Sequence, residues 1–99
     1  MSRELVFSEN AELHLVDIQQ YIAEQTSPER ASKYVSRILD NLDVVTVFPT
    51  IGSQRDDVRP GLRTFGFERR VIVAYFFDEH RVYVLGVYYG GREWESDLQ

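Results

Sequence analysis

Few side chains in this sequence combine a chemically active type with a useful spacing. The chain has no cysteine, which removes thiolate nucleophiles, thiolate metal sites and disulfides together. His14 and His80 are its two histidines. His80 could act as a base by type, but it sits in Asp78-Glu79-His80-Arg81, which reads as a solvated turn. His14 reads as helix surface. Asp56-Asp57 and Asp78-Glu79 are adjacent acidic pairs without ligand-like spacing to a histidine, so loop solvation is favoured over a metal site. Gly90-Gly91 follows the last strand with no strand–helix unit behind it, so it reads as a turn or hinge and not as a phosphate cradle. These residues yield no catalytic set, no metal site and no cofactor.

The arginines carry more information. Lys33 is the only lysine among 11 basic residues, and the seven basic residues after position 50 are all arginine. Arginine favours specific, geometrically fixed pairing over diffuse attraction. Arg63 alternates with Leu62 and Thr64 and so shares a face with Phe65 and Phe67. If those rings point into a core, Arg63 is a structural ion pair or a backbone anchor. If they line an open face, it is displayed to a partner or target. Arg92 and Trp94 stand close together near the C-terminus, a pairing typical of interface hot spots. The competing reading has Trp94 folding back over the sheet.

Composition bounds the rest. Ninety-nine residues make one domain, 1–99. The 43% hydrophobic and 27% charged content is that of an ordinary globular chain, which excludes wholesale disorder. No apolar run is long enough to span a membrane. Met1-Ser2-Arg3-Glu4 does not resemble a signal peptide, so a cytoplasmic location is expected. Eleven basic against 16 acidic residues give a net charge of −5, the wrong field for a general or sequence-specific nucleic-acid binder.

The elements that must position these residues follow from periodicity. Glu4 to Phe7 reads as a short strand. Ser8 offers an N-cap, and Ala11, Leu15, Ile18 and Ile22 mark one helical face running to about Gln25. Ser27-Pro28 restarts a second helix, whose stripe runs from Ala31 to Phe48 and ends at Pro49. So short a turn makes an antiparallel helical hairpin. From Arg59 the period becomes two, with strands over 62–67, 71–77 and 82–89. The expected class is α+β in the order β-α-α-β-β-β, with the hairpin packed on one face of a small antiparallel sheet. Residues 92–98 are either a short helix or an extended tail.

The last strands are apolar on both faces. Val71, Val73, Tyr75 and Phe77 point one way, against Ile72, Ala74 and Phe76. By the same count Val82, Val84 and Tyr88 oppose Tyr83, Leu85, Val87 and Tyr89. One hairpin covers one face only. Coverage of the other by a partner protein is favoured over coverage by the eight residues after Gly91.

In this frame the sequence resembles the ParE/RelE superfamily of bacterial toxins, in its ParE-like branch. The likeness rests on Ala11-x-x-x-Leu15-x-x-Ile18-x-x-Tyr21-Ile22, Ser27-Pro28-x-x-Ala31-x-x-Tyr34, Phe48-Pro49-x-x-Gly52, Val58-Arg59-Pro60-Gly61-Leu62-Arg63, Val71-Ile72-Val73-Ala74-Tyr75 and Val84-Leu85-Gly86-Val87-x-x-Gly90-Gly91-Arg92-Glu93. The sequence departs from the pattern at His14, at Tyr88-Tyr89 and in its overall acidity.

The resemblance implies the toxin of a type II toxin–antitoxin module of the plasmid-stabilisation type. A cognate antitoxin, whose disordered tail folds onto the toxin, neutralises it in a hetero-oligomer. ParE-like members inhibit DNA gyrase by binding. RelE-like members cleave messenger RNA on the ribosome with lysines, arginines and a tyrosine. Arg63 and Arg92 match superfamily arginines, but Arg92-Glu93-Trp94 lacks the expected tyrosine. The expectation is therefore a gyrase inhibitor without its own catalysis. The alternatives are a ribosome-dependent endoribonuclease or a non-toxic antitoxin-binding relative. Arg63, Tyr75, Arg92 and Trp94 are the target-binding candidates. Val73, Phe77, Val84 and Tyr88 are the antitoxin-binding candidates.

Overall fold

Two serines start the helical layer. In the computed structural model, which describes residues 2–98, the Ser8 hydroxyl accepts the Ala11 N–H at 3.0 Å and the Ser27 hydroxyl accepts the Arg30 N–H at 3.2 Å. Each satisfies a donor that the first helical turn leaves without a partner. The first strand, β1 (Glu4–Phe7), therefore hands over to α1 (Glu9–Gln25), and α2 (Pro28–Val47) follows after a two-residue turn. Thr26 closes α1 by returning both its N–H and its hydroxyl to the Ile22 carbonyl. Ala11, Ile18, Ile22, Ala31, Ile38, Leu42 and Val45 line the buried side of the hairpin.

After α2 the chain makes one 3-10 turn, Pro49–Ile51, and then β2 (Ser53–Gln54), β3 (Arg63–Phe67), β4 (Val71–Phe77), β5 (Arg81–Tyr89) and the terminal helix α3 (Trp94–Leu98). The five strands stand in the order β1-β5-β4-β3-β2. The expected meander β3-β4-β5 is present, with the hairpin on one face. The sheet is mixed, however, because β1 runs parallel to β5 from Glu4↔Arg81 to Phe7↔Val84. Ser8 fixes that direction. Its N–H bonds the Val84 carbonyl at 2.9 Å and its hydroxyl bonds the Leu85 carbonyl at 3.0 Å. One residue thus caps α1 and ties the strand before it to β5. The two-residue β2 is too short to leave a periodic signal.

A shift of register within β5 redistributes the apolar faces. Tyr75 pairs with Val84 and Ala74 with Gly86, leaving Leu85 without a partner. One extra residue reverses the alternation beyond it. Val82, Val84, Val87 and Tyr89 consequently face the helices, while Tyr88 joins the opposite face. Strict alternation would instead put Tyr88 with Val82 and Val84.

That opposite face is covered by the chain itself. Trp94 and Leu98 of α3 and Val58 and Leu62 of the preceding loop pack with Ile72, Ala74, Leu85 and Tyr88. Coverage by a partner protein was the favoured expectation. It is corrected because two anchors four residues apart on a helix, together with the 55–62 loop, supply enough apolar surface.

Candidate functional site

Arg63 and Tyr75 sit side by side at one end of the sheet, opposite each other in the β3–β4 register. The Arg63 guanidinium donates to the carbonyls of Thr50 (3.1 Å) and Gly52 (2.7 Å). The fully buried Tyr75 hydroxyl donates to the Pro49 carbonyl at 2.7 Å and accepts the Gly52 N–H at 3.0 Å. Burial pushes the Tyr75 hydroxyl above its ordinary pKa. The two side chains hold the 3-10 turn after α2 against the sheet. Arg63 is thus the backbone anchor that its alternation with Phe65 and Phe67 left open.

Gly52 is part of the same clamp. A Cβ there would lie 2.6 Å from the Tyr75 hydroxyl and 2.9 Å from the Thr64 carbonyl. Only glycine lets the turn approach so closely.

Arg92 lies at the other end of the sheet, and Trp94 packs on the sheet face away from the helices. Val71, at the start of β4, pairs with Tyr89, and roughly 13 Å of strand separates it from Tyr75. The four target-binding candidates therefore form two separate groups. Arg92 is exposed and lines a cleft of about 240 Å³ with Asp17, Ile18, Tyr21, Tyr89 and Gly90. Trp94 is half-buried, with the Arg55 guanidinium 4.7 Å above its ring. Arg55 also forms ion pairs with Asp57 and Glu95.

Between these groups, His14 and Tyr88 build a small network that sequence patterning missed. His14 does not lie on an open helix surface. Its Nδ1 accepts the Val87 N–H at 3.1 Å, and its ring meets that of Tyr88 at a tilt of 55°, the centres 4.9 Å apart. β1 ends opposite Val84. Beyond that point Ser8 and His14 take up β5 backbone groups that a strand would otherwise pair. Burial, reinforced by Arg92 and opposed by Asp97 and Asp17, holds the His14 pKa below its ordinary value. Tyr88 donates to Asp97 of α3 at 2.6 Å. Burial first, then that carboxylate, pushes the Tyr88 hydroxyl well above the usual tyrosine range.

The antitoxin-binding candidates fall elsewhere than expected. Val73 and Val84 are fully buried between the sheet and the helices and present no surface to a partner. Tyr88 is buried beneath α3. Phe77 is half-buried, with Arg3 and Arg63 over its ring. The hairpin covers the face to which Val73 and Val84 point, and the register shift moves Tyr88 to the face under α3.

The exposed apolar surface is on the helical layer. Leu13 (60% exposed) and Val16 stand on α1. Val44, Val47, Phe48 (63%) and Ile51 (59%) follow one another at helical spacing around the end of α2. In an antiparallel hairpin the N-terminal half of α1 lies beside the C-terminal half of α2, so these residues occupy one end of the layer. Leu13 and Val16 lie off the α1 face marked by Ala11, Leu15, Ile18 and Ile22, an apolar surplus already present in the sequence.

No group of histidines and acids among the described residues could hold a metal ion. Among the described residues no helix is long and apolar enough to cross a membrane.

The family model described as ParE toxin of type II toxin-antitoxin system, parDE, matches residues 5–94. No curated protein matches. A solved structure of the chromosomal ParDE TA system from P. aeruginosa contains a chain that superposes with a TM-score of 0.77 at 21% identity, over 90% of this chain and 97% of that one. At that identity the likeness speaks to the fold alone. The family match runs from the middle of β1 to the start of α3, and on that match the chain belongs to the ParE toxin family of type II toxin–antitoxin systems.

Proposed function

We propose that this chain is the toxin of a two-component pair, that it acts in the cytoplasm by binding DNA gyrase rather than by catalysis of its own, and that a cognate antitoxin neutralises it. The observation that carries the binding reading is the occupation of Arg63 and Tyr75. RNA cleavage needs a base, an acid and free cationic groups converging on one phosphate. Here the Arg63 guanidinium and the Tyr75 hydroxyl bond backbone groups of the 3-10 turn. Arg92 stands at the far end of the sheet. Recognition of a protein target asks only for an exposed surface.

The family's pairing with antitoxins supports the second partner, as does the P. aeruginosa neighbour, itself a ParDE TA system. The antitoxin docks on the apolar end of the helical layer, on Leu13, Val16, Val44, Val47, Phe48 and Ile51. Buried apolar anchors ringed by polar residues are what give such interfaces their energy.

The test is supercoiling of relaxed plasmid by gyrase, with and without the folded chain, together with a readout of trapped broken DNA. Inhibition with accumulated breaks is the expected result. No effect at large excess over gyrase sinks the gyrase reading. Codon-positioned cleavage of message in a translating extract would put the RelE-like reading in its place.

A further inference from the structure

Basic side chains are engaged over most of this molecule and idle at one end of it. Arg3 and Arg63 donate to backbone carbonyls, and Arg37, Arg55 and Arg81 pair with carboxylates. Arg30 and Lys33 of α2 and Arg69 and Arg70 of the β3–β4 turn are exposed. Among the described residues their side chains have neither an ion-pair nor a hydrogen-bond partner. The two sets are neighbours, because Arg37 of α2 donates to Glu68 of the turn at 2.9 Å.

Rigid backbone presents these cations. Arg30, Lys33 and Arg37 recur at i, i+3 and i+7, so they share one face of α2 over about 10 Å of helix. They line a cleft of about 430 Å³ with Ile22, Thr26 and Tyr34. The β3–β4 turn is tight. Glu68 and Arg69 take left-handed φ values of 49° and 62°, the Arg70 N–H bonds the Phe67 carbonyl at 3.1 Å, and the Arg70 carbonyl accepts the Gly90 N–H at 2.8 Å. Residues 28–37 and 68–70 together carry five cations and two acids, Glu29 and Glu68, and Arg37 neutralises Glu68. A chain with a net charge of −5 thus keeps a local excess of positive charge here.

We propose that this end of the molecule contacts the phosphate backbone of duplex DNA without reading its sequence. The duplex carries one negative charge per roughly 1.7 Å of its axis, so a basic face about 10 Å long meets several phosphates at once. The adjacent rings favour a duplex over a single strand. Tyr34 meets Tyr89 edge-on at 89° and Phe67 at a tilt of 55°, so these rings pack on one another and do not offer flat faces for bases to stack on. A peptide strand finds little here, because the cations stand on a helix and a closed turn and not along an open strand edge. The acidic remainder of the chain repels the polyanion, which confines binding to low salt. The inference goes beyond the gyrase reading and does not depend on it, since DNA alone is the ligand.

The test uses the folded full chain, without gyrase, and three labelled probes: a duplex of two helical turns, one of its strands alone, and a decapeptide alternating glutamate and valine. Binding is read by fluorescence anisotropy across a series of sodium chloride concentrations, and its location by amide shifts. The duplex is expected to bind saturably at low salt and to shift the amides of Lys33, Arg69 and Arg70. Each neutralised phosphate contributes about −0.9 to the slope of log affinity against log salt, so a slope of about −3 or steeper is expected. The K33Q/R69Q/R70Q variant should bind about tenfold or more weakly and flatten that slope by about 2. These side chains have no partners to lose, and circular dichroism confirms that the variant is folded. Arg59→Gln removes an equally unpaired cation at the opposite end of β4, over Phe76, and should leave binding unaltered. Absence of saturable duplex binding at low salt and millimolar protein overturns the proposal. Equal binding by the triple variant, a loss on Arg59→Gln as large as that of the triple variant, or binding of the single strand or the peptide as tight as that of the duplex overturns it as well.

Discussion

Tyr34 and Tyr75 carry the same hydroxyl into opposite circumstances. The Tyr75 hydroxyl satisfies one buried N–H and one buried carbonyl, whereas the Tyr34 hydroxyl is buried with no hydrogen-bond partner. An unmet buried polar group costs about 1–3 kcal/mol. Tyr75→Phe is therefore expected to lower stability by about that amount, and Tyr34→Phe to raise it by up to about 1 kcal/mol. Urea unfolding of the two variants checks both signs at once. Unchanged stability in both variants would mean that the rings and not the hydroxyls matter. His14 supplies a second test. Its Nδ1 accepts the Val87 N–H, which requires a neutral imidazole, and burial lowers its pKa. A base held neutral in the folded state contributes fully above its unfolded pKa of about 6.5, and that stability is lost as pH falls through and below this value. The urea midpoint of the wild type should accordingly drop between pH 8 and pH 5.5 by more than that of His14→Asn, whose amide oxygen stands where Nδ1 does and accepts the same bond without titrating. Parallel pH profiles for the two proteins would refute the assignment.

The elements were legible wherever their signals were local. Ser8 and Ser27 mark both helix starts, Pro28 fits the first turn of α2, and Pro49 ends that helix, because caps and breakers act within a few residues. What sequence could not reveal was non-local. The unpaired Leu85 adds one residue to β5, leaves no compositional trace, and still moves Tyr88 to the other face. The docking of α3 depends on contacts with residues 55–62 and 72–88, distant along the chain. The clamp role of Arg63 and Tyr75 likewise depends on carbonyls 11 to 26 residues away. Gly86 offers a handle on this arrangement. The Tyr88 ring lies over it, and a Cβ at Gly86 would meet that ring at 2.5 Å. Gly86→Ala is expected to displace the ring, break its bond to Asp97 and free α3. Trp94 is the only tryptophan, so its emission reports the event directly. A red shift, with protease cleavage appearing after Gly91, is the expected result. Unchanged emission would mean that Leu98 and the Arg55 pairs hold α3 without Tyr88.

At the scale of the whole molecule, the sheet is covered on both faces and the uncovered apolar surface belongs to the helices. This changes what the isolated chain should do in solution. Leu13, Val16, Phe48 and Ile51 are each more than half exposed, and no segment among the described residues buries them. Without a partner, such a patch drives copies of the chain together. The net charge of −5 works against this by mutual repulsion. Salt screens the repulsion, the screening length falling to about 3 Å at 1 M, and it does not weaken apolar burial. Self-association is therefore expected to increase with sodium chloride, whereas association through ion pairs would decrease. Replacing Leu13, Val16, Phe48 and Ile51 with serine should remove the association. Each exposed substitution is expected to cost no more than about 0.5 kcal/mol, so the variant remains folded. Sedimentation velocity of both proteins at low and high salt, with circular dichroism to confirm folding, separates the cases. A wild type that stays monomeric at high salt and high concentration would argue that this surface is too small to dock a partner. An association that salt dissolves would mean that ion pairs and not the apolar helical surface hold the copies together.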